Sequence, residues 1–412
     1  MNTSIGAPRP ARGFTLVELM VALTLGMLLT TAMAYVYLSS RTAFSRQQQL
    51  GGLQDNVRIA FDNLSTDTRM VGHMGCYTGL KNEAPNFNSA LPANAVASHF
   101  AVGIEGYDFV NTTAGAYTLG SNVPNDNPSA AGWATNVAAS ASASLPIADI
   151  AGAGNGLTPG SDVLVIRTVA GRPVRLAATA NTGANQAAFA VESGAGSAEL
   201  CADRVTAKVS GFCPGGYGLI ASCTHARVFR VGTIAAGAAP APSTITLAAA
   251  ATLGSDPQYT ADATEVFPLQ TIVYYVKKAS SGTTTSLYRR IFDGNVAGGT
   301  EQELIEGVES LQLQYGIDTT APEPDGVVDR YVAAKGPAGN ATDSVTDWSK
   351  VVAVRMGLLL RSTAPVEGDL KSSLPASGRV NGVTVTYPTS GTKYDRRVFT
   401  TTVAVRNKVA YF

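Results

Sequence analysis

The feature that most constrains this chain is an apolar run near its start. FTLVELMVALTLGMLLTTAMAYVYL, from Phe14 to Leu38, holds 25 residues and a single charge, Glu18. As a helix rising 1.5 Å per residue it is about 37 Å long, enough to cross a ~30 Å hydrocarbon core with some tilt. Arg9 and Arg12 precede it without an acidic partner. The bias of basic residues toward the cytoplasmic side then keeps the short N-terminus inside and sends everything from Ser39 onward across the membrane. A cleaved secretory signal fits less well. Its hydrophobic stretch runs about 7–15 residues and ends in a small-residue cleavage site, whereas this run is longer and carries an acid near its beginning.

Glu18 is the informative residue. A carboxylate at the centre of a bilayer costs about 2.5–3.5 kcal/mol on insertion scales, so it needs a partner unless it sits shallow, at the interface. Its surroundings, Arg12-Gly13-Phe14-Thr15-Leu16-Val17-Glu18-Leu19, resemble the class III signal of type IV pilins and pseudopilins. The resemblance implies that a prepilin peptidase cuts between Gly13 and Phe14 on the cytoplasmic face and methylates the new N-terminus on Phe14. Glu18 then becomes the fifth residue of the mature chain, where that family keeps its acid. Such a cut removes Arg9 and Arg12 and leaves a cationic amine. In a helical filament the amine of one subunit can meet Glu18 of its neighbour, and a low dielectric strengthens the attraction. Apolar side chains give adhesion without register; one ion pair sets axial position.

Beyond Leu38 the helical pattern goes on through SSRTAFSRQQQLGGLQDNVRIAFDNLSTDTRMVGHMGC. Leu53, Val57, Ala60, Phe61, Leu64 and Val71 recur at three- and four-residue spacing. That spacing predicts the amphipathic second half of one long helix, its stripe packed on a globular domain or, alternatively, on a coiled-coil partner. Gly51-Gly52 costs about 1 kcal/mol per Gly and predicts a kink or local melting. Gly72 and Gly75 predict the helix end near residues 71–75.

The rest of the chain is rich in small residues, with 42 Gly and 20 Pro, which points to loop-rich structure. Strand candidates are 162–167 (DVLVIR) and 226–231 (ARVFRV), then 271–277 (TIVYYVK) and 286–290 (SLYRR), which flank SGTTT as a hairpin. Residues 303–315 (ELIEGVESLQLQY) read as a linker ending in an alternating strand, and 350–361 and 397–405 complete at least four antiparallel strands. The tracts 111–156 and 171–200 read as surface loops. The predicted class is α+β, a long N-terminal helix on an antiparallel sheet domain with large loop-rich insertions. Its expected organisation is a leader at 1–13, a transmembrane half-helix at 14–38, an amphipathic half at 39–75, a loop- and strand-rich region at 76–260 and a sheet-rich region at 261–412.

These segments carry a second resemblance. GCYT after the helix, DVLVIR, ASCTHARVFRV, ELIEGVESLQLQYGID, the Trp348-centred DWSKVVAVRMGLLLRS and RRVFTTTVAVRN are similar to the PilW family of minor pilins. The likeness is thinnest over 81–156. It implies a minor pilin that joins other minor pilins, the major pilin and a tip adhesin in priming assembly. Such a protein is held first in the inner membrane with its C-terminal domain in the periplasm, and later in a surface pilus that supports twitching and adhesion. The competing readings are a large pseudopilin of a type II secretion system and an adhesin that borrows the pilin anchor, with ligand contacts in 81–260.

Cys76, Cys201, Cys213 and Cys223 all lie on the translocated side, where oxidising conditions favour disulfides; four cysteines allow three pairings, and the sequence leaves them open. Their spacing does not match the short pairs of zinc sites. Residues 316–329 invite a calcium reading, because acids spaced around a Gly turn are a calcium scheme. PilW relatives resemble other Asp-Gly calcium loops here, but Thr319, Thr320, Ala321 and Pro322 interrupt the run and leave Asp318, Glu323, Asp325 and Asp329. Aligning Asp325-Gly326 with an EF-hand loop puts Val332 where the bidentate Glu belongs, so a plain solvated loop is the competing reading. His73, His99 and His225 lie far apart and outside any nucleophile or metal signature, and AGAGNG at 151–156 lacks the strand–helix context of a dinucleotide site. Basic and acidic residues balance at 30 each, which excludes binding driven by a strongly basic nucleic-acid surface. The sequence predicts a structural protein and no enzyme.

Overall fold

The computed structural model describes residues 13–73, 75, 77, 99–100, 102–109, 116–119, 133–134, 157–177, 186–192, 200–201, 206, 208–223, 226–237, 241–248, 259–261, 263–282, 284–294, 298–321, 325–335, 343–366, 374–389 and 391–405. The chain divides into two compact units, Met1–Gln54 and Asp55–Phe412. One helix, Leu16–Arg69, begins in the first and ends in the second, 54 residues in all. Its composition explains its start: the Leu, Met and Ala of the apolar run are strong helix formers. Large apolar side chains from Leu16 to Leu38 are exposed. The helix is long and apolar enough to cross a membrane. The expected break at Gly51-Gly52 is not there, since the helix runs through both residues. Once nucleated, a helix gains a hydrogen bond for each residue it adds, and this carries it across two poor formers.

In the second unit the last turns of the helix bury Val57, Ala60, Leu64 and Thr68, with Val71 just beyond. The spacing is three and four, as the apolar stripe predicts, and Phe61 is half-buried. The helix stops at Arg69 because Gly72 and Gly75 take positive φ of 67° and 66°, open to glycine and costly for other residues. Two bonds then fix its end: the Thr168 hydroxyl donates to the Met70 carbonyl at 2.8 Å, and the Gly72 N–H to the Arg167 carbonyl at 3.2 Å.

Among the described residues the larger sheet has eleven strands around one long central strand, Glu265–Lys278. On one side Val163–Val169 pairs antiparallel to it, with Ile272 opposite Ile166, and is followed by Ile104–Phe109 and Trp133–Ala134. On the other side lie Tyr217–Ala221 and the hairpin mate Thr285–Phe292. Ala226–Ala235, Ser243–Leu247 and Ala188–Val191 extend the sheet beyond Tyr217–Ala221. Near-continuous β-branched and aromatic residues suit the central strand to burial on both faces, and Val266 to Val276 are almost wholly buried. A four-stranded sheet follows in the order Arg330–Val332, Val308–Ile317, Val351–Arg361, Arg396–Ala404. A three-stranded sheet joins Ser377–Val380, Val383–Thr386 and, in parallel, Ala116–Thr118.

The predicted strands and the hairpin are present. The predicted linker at the start of 303–315 is a correction: Thr300–Glu306 is a strand paired to Thr285–Phe292, with Arg290 opposite Glu301. Opposite charges across a ladder favour that pairing. Gly307, at φ 92°, then turns the chain into the four-stranded sheet. The tracts read as surface loops contain short strands at Ala116–Thr118, Trp133–Ala134, Val174–Arg175 and Ala188–Val191. Much of the remainder of those tracts lies outside the described residues.

Candidate functional site

The N-terminal motif is built as a helix start. Gly13 and Phe14 precede the helix, and Thr15 caps it. The Glu18 N–H donates to Thr15 Oγ1 at 3.2 Å, while the Thr15 N–H and hydroxyl both donate to Glu18 Oε2 at 3.3 Å. This reciprocal arrangement is a capping box, and an acid in the first turn also meets the positive end of the helix dipole. The Gly13–Phe14 bond is therefore left outside the helix. Thr15 is the residue that the sequence reading passed over; the T-x-x-E spacing at 15–18 was there to find it.

The helix end is held on the second unit by charge as well as apolar burial. Asp67 accepts from the Tyr274 hydroxyl at 2.5 Å and pairs with Arg289 at 3.0 Å. Burial raises its pKa above the ordinary carboxylate value, against the lowering effect of the Tyr274 bond and the Arg289 charge. Arg167, whose carbonyl accepts from Gly72 just past the helix end, forms an ion pair with Glu105 at 2.8 Å with both side chains buried. Arg167 also donates to the Val102 carbonyl at 3.0 Å, and Glu105 accepts from the Tyr107 hydroxyl at 2.8 Å. A buried pair with its remaining atoms bonded in this way is costly to break from one side.

The described acids of the 316–329 loop, Asp318, Asp325 and Asp329, accept hydrogen bonds from their own loop. Asp318 is fully buried and accepts N–H groups from Thr320 at 3.0 Å and Gly326 at 2.6 Å. Asp329 accepts the Thr319 hydroxyl and N–H, which hold its pKa low, and Asp325 accepts the Val327 N–H at 2.9 Å. Val332 is a buried strand residue. Glu323 lies outside the described residues. Among the described residues, no three His, Cys, Asp or Glu side chains group to hold a metal ion.

Cys201 and Cys213 form a disulfide with Cα atoms 5.9 Å apart, and Cys223 is disulfide-bonded as well. Cys76 lies outside the described residues, as do His225 and residues 151–156. His73 packs edge-on to Phe267, while burial and then the Arg167 charge lower the pKa of His99.

Comparison with protein families gives two matches. Residues 273–407 match the family described as type IV pilus-assembly protein W, and residues 8–34 match the prokaryotic N-terminal methylation motif. The first range opens inside the central strand and contains the whole four-stranded sheet; the second contains Gly13, Phe14, Thr15 and Glu18. No curated protein and no solved structure matches the chain.

Proposed function

The chain joins a PilW-type pilin region to an N-terminal methylation signal, the make-up of a minor pilin in type IV pilus assembly, and we propose that it works there in the priming or tip complex. Pilin domains point to a structural rather than catalytic role, one played with other pilus components and after prepilin peptidase processing. The observation that carries the reading is the methylation motif set on an exposed apolar helix in the same chain as the PilW-type region.

In this reading the peptidase cuts between Gly13 and Phe14 and leaves a mature chain of 412 − 13 = 399 residues. The methylated amine of Phe14 and the Glu18 carboxylate of a neighbouring subunit then set register in the filament. The helix anchors the precursor in the inner membrane with the sheets in the periplasm, an oxidising compartment that suits the disulfides. A head of this size packs poorly at every step of a narrow filament, which favours low copy number at or near the tip, against other minor pilins, the major pilin and an adhesin. Twitching and adhesion would depend on it through the pilus. The acids of 316–329 read as braces of their loop; calcium is not needed to explain them.

The test is a deletion strain scored for surface pili and twitching, complemented with the wild-type gene. Loss of both with rescue is the expected result. Normal piliation, with the protein co-purifying with secretion machinery, would overturn the pilus reading in favour of a type II pseudopilin.

A further inference from the structure

The two larger sheets meet at a seam where side chains stand in for a strand. Val308–Ile317 pairs with Arg330–Val332 only through Tyr315, Gly316 and Ile317. Ahead of that, the Leu311 N–H donates to Ser161 Oγ at 3.0 Å, the Leu313 N–H to Asp162 Oδ2 at 2.8 Å, and the Asp162 N–H to the Leu311 carbonyl at 2.8 Å. The other oxygen of Asp162 accepts the Phe109 N–H at 3.3 Å. One carboxyl thus ties Ile104–Phe109 of the larger sheet to Val308–Ile317 of the smaller.

Beside Phe109 is a second buried acid, Asp108. Its Oδ2 accepts the Lys335 N–H at 2.7 Å, and its Oδ1 has no hydrogen-bond partner among the described residues. The buried hydroxyl of Tyr315 is likewise without a partner there, and it feels the charge of both acids. Gly106 makes room for that hydroxyl, since a Cβ at this position would collide with it. The surrounding charges are spoken for: Glu105 and Arg167 neutralise each other at 2.8 Å, Tyr107 gives its hydroxyl to Glu105, and Lys335 offers its backbone N–H while its side chain is exposed. Asp108 and Asp162 adjoin the paired residues Tyr107 and Val163 on neighbouring strands and both are buried, so two ionised carboxylates would repel each other here in a low dielectric, an arrangement that buried acids avoid by keeping a proton.

We propose that Asp108 and Asp162 retain a proton between them at neutral pH, and that this proton closes the seam, so that acid tightens the second unit and base loosens it. Asp162 is built to carry the charge, because both its oxygens accept backbone N–H groups. Asp108 is built to carry the proton on Oδ1, the oxygen with no hydrogen-bond partner among the described residues, while the backbone N–H groups of Lys335 and Ala334 lie on its carboxyl. The electrostatics agree: burial first, then the Asp162 charge, raises Asp108 well above the carboxylate range, and burial pushes Asp162 up to about 7. A carboxyl raised on folding contributes its stability below the unfolded value near 3.8 and loses it as pH climbs toward the folded one.

The test uses the full chain in maltoside micelles. Wild-type protein should keep the infrared carbonyl band of a neutral carboxyl at pH 7.5, where exposed acids are ionised. Its unfolding constant should rise, relative to D108N, about tenfold per pH unit for each linked proton between pH 5 and 7. D108N, which mimics the protonated acid, should lose the band and flatten the slope. Absence of the band from wild-type protein, or an unchanged slope in D108N, would overturn the proposal; if D108N fails to fold, the wild-type band decides.

Discussion

At Glu18 one carboxylate has a set of donors in its own helix, and the proposed filament would offer it a second. In the structure it is bonded by Thr15 of its own helix through N–H and hydroxyl. In the proposed filament it meets a neighbour's new amine, a stronger, charge-assisted partner. Glu18→Ala is therefore expected to insert and be cleaved but to enter filaments poorly, read by immunoblot of sheared pili against the membrane fraction. Normal incorporation would sink the ion-pair account. Thr15→Ala removes only the cap, at about 0.5–2 kcal/mol of helix stability, and should show as faster amide exchange over residues 16–19 in micelles. Asp67 makes a different kind of residue-scale prediction. Its raised pKa means that ionisation costs the folded state stability as pH rises above the unfolded value near 3.8. Asp67→Asn should keep an acceptor for Tyr274 while weakening that decline, and Asp67→Ala, which strands both Tyr274 and Arg289, should destabilise at every pH, by about 1–3 kcal/mol. Thermal melts of the three proteins from pH 4 to 7 check both.

Among elements, the segment around Cys201–Cys213 is held by covalent closure as well as by apolar packing, with Phe212 buried against Phe229. The bridge closes a 12-residue separation that includes a tight turn with Ser210 and Gly211 at positive φ. A loop of that size is worth roughly 2–4 kcal/mol, so replacing both cysteines by serine should lower the melting temperature without changing leader cleavage, measured by calorimetry and mass spectrometry. The 316–329 loop, by contrast, already has the carboxylates of Asp318, Asp325 and Asp329 satisfied by Thr319, Thr320, Gly326 and Val327, so millimolar calcium is expected to leave the melt unmoved. Legibility in the sequence follows the same physics. The helix, the hairpin and the Val351–Arg361 strand are contiguous runs with a clear period, and Gly13, Phe14 and Glu18 form one short motif. Ala188–Val191 and Trp133–Ala134 are short and half alanine, with nothing local to mark them as strands. Asp67 and Arg289 are 222 residues apart, and Asp162 and Leu313 are 151 apart. No local pattern encodes such a pairing, which exists only once the sheets close.

In the second unit as a whole, residues before and after position 260 do not form separable bodies. The central strand Glu265–Lys278 is flanked by Val163–Val169 and Tyr217–Ala221, both from the earlier region, and its Ile272 and Val273 lie between Ile166 and Val165 on one side and Ile291 and Arg290 on the other. The core repeats the interleaving: Tyr107, Trp133 and Val163 pack with Val273, Tyr275, Tyr288 and Phe292. Removing 81–260 would strip Val163–Val169 from one side of the central strand and Tyr217–Ala221 from the other, and expose rows of backbone N–H and C=O groups together with an aromatic core, both strong drivers of aggregation. Such a deletion cannot separate adhesion from piliation, because the PilW-type region it leaves behind has lost its neighbours. The expected outcome is a protein degraded or aggregated in the membrane fraction, with pili and twitching lost together. A stable, assembly-competent deletion variant would mean that the four-stranded sheet and the 273–292 hairpin fold without the strands that now cover them. A more discriminating probe of a ligand-binding role is substitution of exposed side chains on Ala226–Ala235, such as Arg230, away from the central strand, scored for adhesion while surface pili remain at wild-type levels.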